Sequence, residues 1–360
     1  MSLFERLGRQ ALFTLDPETA HGLSIAALRC GVPIVPKPPA DRRLAVNVAG
    51  IDFPNPLGMA AGYDKNAEAP DGLLGLGFGF AEVGTVTPLP QPGNPKPRIF
   101  RLPEDNAVIN RLGFNNEGHD ACEARLQARK GRPGIVGVNI GANKDSADRI
   151  ADYVLGVERF ARYASYLTVN ISSPNTPGLR TMQAREALAE LLSRVAAARE
   201  TATKRVPVFL KIAPDLVDAE LEDIAAEVAE KRIEGVIVSN TTLARTGLRN
   251  TSAATEAGGL SGRPLFERST IVLARMRRLL GPDFAIIGVG GVDSAETALE
   301  KIRAGADLVQ IYTGLIYGGP GLPGRILAGM RRELDRSGAA SISDLRDSRL
   351  QHWADKPLSA

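Results

Sequence analysis

The feature that most limits how this chain can fold is an alternation running through most of its 360 residues. Short apolar or β-branched runs lie at 56–61, 81–85, 135–140, 166–171, 208–212, 235–239, 285–288 and 308–312. Runs of this kind suit strands buried on both faces. Between them lie stretches with helical spacing, clearest at 185–204, 218–231 and 294–304. Eight strand–helix units close more readily into a parallel barrel than into an open sheet. The expected fold class is therefore α/β, a TIM (β/α)8 barrel over 41–337, with a small hairpin within 44–53 ahead of its first barrel strand. Polar and Gly-rich groups gather at the C-terminal ends of the runs, the face on which such barrels build their chemistry.

Residues 1–40 stand apart as a two-helix extension. Leu3, Phe4, Leu7, Ala11 and Leu12 recur at helical spacing, while Glu5, Arg6, Arg9 and Gln10 face elsewhere. Asp16-Pro17-Glu18 supplies an N-cap, a proline at the first helical position and an acid at the positive helix end. The second helix carries Ala20, Leu23, Ile25, Ala27 and Leu28, and Pro33, Pro36, Pro38 and Pro39 then form a stiff spacer. Two short amphipathic helices cannot bury themselves. They either cap the neighbouring domain or form a hairpin that lies on a membrane or lines an apolar ligand path. Residues 1–43 hold six Lys/Arg and four Asp/Glu, an excess of positive charge that leans toward an anionic membrane surface. Residues 338–360 form a tail of no assignable pattern, with Trp353 as its candidate anchor.

Composition narrows the chemistry. Two cysteines, Cys30 and Cys122, are too few for an iron–sulfur cluster, and His21, His119 and His352 offer no metal-ligand spacing. No window reaches the roughly 18 consecutive apolar residues of a membrane span, and the N-terminus has no signal-peptide pattern. The expected setting is intracellular, with no metal and with any hard redox chemistry left to a non-metal cofactor. The 44 Lys and Arg are spread along the chain and balanced by 41 acids, so nucleic acid is not an expected partner.

Four polar clusters are candidates for the site. The stretch 55–66 ends a strand at Gly62 and offers Asp64, Lys65 and Asn66. A strand-end Lys taken alone reads as a solvated charge, but at a barrel mouth it suits an anion. Residues 170–176, with Asn170, Ser173 and Asn175, can hold a planar polar ligand and set a hydroxyl against it. Ser239, Asn240 and Thr241 end the sixth run, and 110–116 sits inside a connection much longer than usual. Glycines at 288–291 and Tyr312-Thr313-Gly314 suggest a phosphate site on bare backbone. Lys211, flanked by apolar neighbours within the fifth run, is either paired with a buried carboxylate or able to stabilise charge on a reduced flavin.

The ordered set NPLGMAAGYDKN, PKPRIFRL, NRLGFNN, VGVNIG, NISSPNTPGLR, LKIAPD, SNTT, GGLSGRPL, GVGGV and QIYTGLIYGGP closely resembles the dihydroorotate dehydrogenases. It is similar to their class 2, quinone-linked type: Ser173 stands where class 1 enzymes carry a Cys, and the N-terminal extension is present. The resemblance implies an FMN over the barrel mouth, held by Ala61, Gly62, Tyr63, Asp64, Lys65, Thr85, Asn139, Asn170, Lys211 and Ser239. The FMN phosphate would meet Gly262, Gly290, Gly291, Tyr312 and Thr313. Dihydroorotate would lie against Lys65, Asn110, Asn170, Asn175, Asn240 and Thr241, beside the turn Arg111, Leu112, Gly113 and Phe114. Ser173 would take the C5 proton and pass it on through water or Thr176. A quinone (ubiquinone or menaquinone) would enter between the two N-terminal helices, near His21, Arg101 and Tyr312. The resemblance further implies a monomer without an iron–sulfur partner subunit, in peripheral contact with the cytoplasmic face of the cell membrane. A class 1-like enzyme using fumarate or NAD, and a non-redox barrel isomerase or phosphate-ligand module, are the competing readings.

Overall fold

The computed structural model describes residues 3–31, 35–249 and 254–358, the first five of them by backbone alone. Pro33 of the expected spacer, the side chains of Leu3, Phe4 and Leu7, and the last two residues of the expected tail lie outside the described residues.

In chain order the strands are β1 (Val46–Val48), β2 (Ile51–Phe53), β3 (Leu57–Met59), β4 (Phe80–Val86), β5 (Ile99–Leu102), β6 (Ala107–Asn110) and β7 (Ile135–Ile140). They continue as β8 (Tyr166–Asn170), β9 (Val208–Ile212), β10 (Gly235–Val238), β11 (Gly259–Gly262), β12 (Ala285–Val289) and β13 (Leu308–Ile311). Eight of them close into a barrel in the order β3-β4-β7-β8-β9-β10-β12-β13, each parallel to its neighbours. These are the eight expected runs, shifted by two residues at most, save that the first shortens to three residues. The barrel strands are buried on both faces, which explains why the runs are uninterrupted in their apolarity rather than alternating.

The interior is filled in layers. At the bottom, β1 and β2 form an antiparallel hairpin that packs Phe53 edge-on against Phe80, and Tyr166 and Phe209 continue the aromatic layer. Room for these rings comes from glycines on adjacent strands: a Cβ on Gly137 would stand 2.2 Å from the Tyr166 ring. Above the rings lies a polar layer in which Glu82 accepts from Asn139 at 2.7 Å, Tyr166 Oη at 3.0 Å and Gln310 at 2.7 Å. Its carboxylate is thereby fully buried yet satisfied.

The sequence pattern places 110–116 inside an unusually long connection, which the structure bears out, and within that connection lie strands that the pattern does not show. The connections after β4 and β10 supply a second sheet, β11-β6-β5, antiparallel throughout. Leu260 pairs with Ile109 across some 150 residues of chain, a partnership that local pattern does not show. This sheet carries Asn110 and Gly262 at strand ends.

The two expected N-terminal helices form as α1 (Leu3–Thr14) and α2 (Pro17–Arg29), with Asp16 capping α2 through bonds from the Glu18 and Thr19 amides at 3.1 and 3.0 Å. Ala20, Ile25 and Leu28 turn inward, while Leu23 is about half exposed. Arg101 donates to the carbonyls of Phe13 and Leu15 at 3.2 and 3.1 Å, closing the C-terminal end of α1 and lying over the Phe13 ring. No helix among the described residues is long and apolar enough to cross a membrane.

The segment after residue 337 is a packed part of the molecule. Trp353 is buried, donates from Nε1 to Glu300 at 2.6 Å and meets Phe266 edge to face.

Candidate active site

One cavity of about 550 Å³ begins at the C-terminal mouth of the barrel and runs outward between α1 and α2. Its inner wall includes Lys211, Ser239 and Val289; its outer wall includes Gly8, Leu12, Leu23 and Ala27. A polar chamber therefore opens into an apolar passage.

At one side of the chamber the backbone is bare. Gly290 and Gly291 adopt φ of 112° and 73°, a conformation glycine reaches without strain. A Cβ on Gly291 would stand 2.4–2.6 Å from the Cβ, Cα and N of Phe266, so the loop is pressed against the start of the helix Phe266–Leu280. Gly262, Tyr312 and Thr313 line the same side, with the Thr313 hydroxyl 2.8 Å from Ser261 Oγ. Backbone amides brought together in this way suit an anion.

The opposite side is a web of amides and hydroxyls. Asn170 donates to Thr85 Oγ1 at 2.9 Å and to Asn139 Oδ1 at 3.2 Å, and Thr85 donates to the same Asn139 oxygen at 2.6 Å. Asn240 donates to Ser172 Oγ at 3.0 Å and to Asn170 at 3.3 Å, and Asn175 donates to Asn110 at 3.3 Å. Thr241 Oγ1 is buried and has no hydrogen-bond partner among the described residues. Ser173 is buried in the same wall, and its Oγ accepts from the Asn175 amide at 3.2 Å. No hydrogen bond joins Ser173 to Thr176 among the described residues.

Two lysines face the chamber. Lys65 donates to the Gly62 carbonyl at 2.7 Å, and desolvation pulls its ammonium down to about 8, opposed by the nearby Glu18 carboxylate. It is a cavity-wall charge rather than a solvated one. Lys211 stands within β9 and is buried; burial lowers its pKa while Glu82 pulls it back up. Both expectations for Lys211 have a foothold. Glu82 is the neighbouring carboxylate, but its oxygens are engaged by Asn139, Tyr166 and Gln310, and Lys211 makes no hydrogen bond of its own among the described residues.

The passage is aromatic. His21 packs edge-on against Tyr63, with centroids 5.0 Å apart, and Tyr63 against Tyr312 at 5.7 Å. Burial, aided by the Lys65 charge, pushes the His21 imidazole down to about 3, so it is neutral at physiological pH. Burial also drives the Tyr312 phenol upward. Arg101 lines the cavity beside Leu12 and Phe13.

Three expected site residues do not line the cavity. Asp64 turns away and accepts from the amides of Glu68 and Ala69, both at 2.8 Å, which shapes the loop that carries Lys65. Asn139 stands behind Thr85 and Asn170. Arg111 points outward to Glu256 at 2.6 Å and stacks on Phe100. Its neighbours Leu112, Gly113 and Phe114 do line the cavity, as do Ala61, Gly62 and Tyr63.

Sequence reasoning missed the supports. Arg180 donates to the carbonyls of Ser172 at 3.1 Å and Thr241 at 2.8 Å, and pairs with Asp215 at 2.8 Å, tying the Ser173 loop to the Asn240 loop. Asn94 donates to the carbonyls of Arg111 and Asn175, and Arg98 joins that loop to Glu18 of α2 at 2.6 Å. A charged residue at a motif's end, as Arg180 is in NISSPNTPGLR, was the available signal.

Comparison with known proteins identifies the family. The family model described as "Dihydroorotate dehydrogenase" matches residues 43–334. A Mesorhizobium japonicum protein named "Dihydroorotate dehydrogenase (quinone)" is 75% identical over 359 residues, covering 100% of both chains. A Brucella ovis protein of the same name is 66% identical over 360 residues, covering 99% of each. Among solved structures, an Eimeria tenella DHODH in complex with ferulenol superposes with a TM-score of 0.88 at 41% identity, covering 94% of this chain and 96% of that one. With the closed barrel, its strand-end site and full-length identity of this order, the chain belongs to the dihydroorotate dehydrogenase family, in its quinone-dependent class 2 branch.

Proposed function

We propose that this protein oxidises dihydroorotate to orotate and delivers the electrons to a quinone, a step of pyrimidine biosynthesis. The observation that carries this reading is the single cavity that joins a chamber of convergent amides to an apolar passage between α1 and α2.

The chamber fits FMN and a planar anionic substrate together. The Gly290–Gly291 backbone, with Gly262, Tyr312 and Thr313, would hold the FMN phosphate; Ala61, Thr85, Asn170, Lys211 and Ser239 would hold the ring. When bound, FMN supplies the hydride acceptor and the route for electrons onward to the quinone. Lys211 sets an unpaired buried cation where negative charge develops. Lys65 pairs with the substrate carboxylate, and Asn110, Asn170, Asn175 and Asn240, with the orphaned Thr241 hydroxyl, meet the ring's N–H and C=O groups. A site that satisfies such groups rejects analogues lacking them.

Ser173 takes the C5 proton as hydride leaves C6. A neutral hydroxyl is a weak base, so it has to shed its own proton as it accepts one. The only bond to its Oγ among the described residues comes from the Asn175 amide, which is a donor, so water in the cavity receives that proton.

The quinone enters through the passage, with His21, Arg101 and Tyr312 near its head group. Residues 1–40 attach peripherally to the cytoplasmic face of the cell membrane, and the molecule works as a monomer. The test is a visible spectrum of the purified protein followed by anaerobic titration with dihydroorotate. Flavin absorbance that bleaches on titration and returns on adding a quinone is the expected result. Absence of the absorbance, or no bleaching, would overturn the proposal.

A further inference from the structure

A second buried lysine lies outside the chamber and is used by nothing described so far. Lys301, on the helix Ala295–Arg303, is fully buried. Its ammonium donates to Ser269 Oγ at 2.6 Å and lies 5.1 Å from the centre of the Phe266 ring. Lys301 has no carboxylate partner among the described residues, and burial pushes its pKa well below the ordinary lysine value, so the side chain keeps its proton only where an anion stabilises the charge. A buried cation without a counter-charge is costly and is ordinarily paired.

Its two neighbours are the two residues that shape the glycine cradle. Ser269 Oγ lies 3.2 Å from the Gly290 carbonyl and 2.7 Å from where a Cβ on Gly290 would stand. Phe266, whose ring faces the ammonium, is the residue whose backbone presses against Gly291. Lys301 therefore sits one side chain behind both glycines, on the side away from the chamber. In an interior of low effective dielectric a charge acts across such a layer without touching its partner.

We propose that Lys301 is the counter-charge of the flavin phosphate: a buried positioning residue that attracts the phosphate dianion through the Gly290–Gly291 cradle and holds the cradle in place through Ser269. This rests on the FMN reading. It supplies the missing anion for Lys301 and a cation for a phosphate site whose residues, Gly262, Gly290, Gly291, Tyr312 and Thr313, include none.

The test compares two flavins that differ only in the phosphate. Holoenzyme is prepared with FMN and, separately, with riboflavin, and the dissociation constant of each is read from the fluorescence of flavin released on dilution. Lys301→Met keeps the apolar stem and removes the charge. The expected result is a loss of FMN affinity of about 30-fold, in the range of a broken charge pair, with riboflavin affinity almost unchanged, so that the preference for FMN collapses. Ser269→Ala should shift the preference in the same direction by a smaller factor. Equal weakening of both flavins would reduce Lys301 to a packing role and overturn the proposal, as would an unchanged preference. If Lys301→Met does not fold, Ser269→Ala decides alone on the same criterion. A wild-type protein that binds neither flavin would instead overturn the FMN reading, together with this inference.

Discussion

At the scale of single residues, the site works by leaving selected groups unsatisfied. Most buried polar atoms here have partners, as folded proteins require; the Thr241 hydroxyl is one of the exceptions among the described residues and faces the cavity, and the Lys211 ammonium in the same wall makes no hydrogen bond among them. Ser173 Oγ accepts from the Asn175 amide, which leaves one lone pair and its own O–H available on the cavity side. Ser173→Ala should lower dihydroorotate oxidation by ~10²–10⁴-fold, the usual worth of a positioned acid–base group, while the flavin content stays that of wild type; turnover and visible absorbance on one preparation check both. Lys65 makes a pH prediction. Its ammonium, depressed to about 8, carries a charge below that pH and loses it above. Affinity for the anionic orotate should therefore hold steady toward neutrality and fall as pH rises past 8, by up to about tenfold per unit in the limit of a strictly required charge. Lys65→Met should bind weakly at every pH, with this dependence gone, as orotate titrations across the range would read. The residue types that do this work were legible from sequence because Lys, Asn and Ser at strand ends have no packing role to explain them. Arg180 was not, because its function lies in carbonyls it reaches across two loops.

At the scale of elements, the barrel strands and the α1–α2 hairpin are written in local pattern, and the sheet β11-β6-β5 is not. Each barrel strand is buried on both faces and so announces itself by composition. The strands of the small sheet are four residues each, and β11 is Gly259-Leu260-Ser261-Gly262, which carries no strand signal until Thr242 and β6 pair with it. The hairpin carries a prediction of its own. Its inner face lines the passage, and Glu18 ties it through Arg98 to the loop that positions Asn94 and Asn175. Deleting residues 1–40 should therefore depress quinone reduction far more than reduction of a soluble dye, with a smaller loss in the dye assay from the broken Glu18–Arg98 pair. Equal losses in both assays would make the hairpin a structural cap only.

At the scale of the whole molecule, the segment after residue 337 belongs to the barrel's outer layer. It packs on the helix Phe266–Leu280, whose first turn also backs the glycine cradle, so the chain's end supports the phosphate side of the site. Trp353→Ala removes a buried indole and the bond to Glu300, and should cost about 3–5 kcal/mol, the range for a large core aromatic. A lowered Tm checks the cost, and a weaker FMN affinity in the folded variant than in wild type would show the linkage between this end of the chain and the cradle.

The amino-acid sequence by itself determined the barrel, its strand count and the chemical inventory at the strand ends, because burial on both faces and strand-end polarity are local properties; the family came from the resemblance of its ordered motifs. Only the tertiary structure decided which of those residues face one cavity. Asp64, Asn139 and Arg111 carry as strong a polar signal as Lys65 and Asn170, yet their side chains are spent on a turn, an inner wall and a distant glutamate. The same holds for Lys301, an unremarked lysine in a helical pattern until the fold sets it behind Gly290 and Gly291. Direction and distance between residues far apart in the chain arise from closure of the barrel and pairing across its long connections, and no window of sequence contains them.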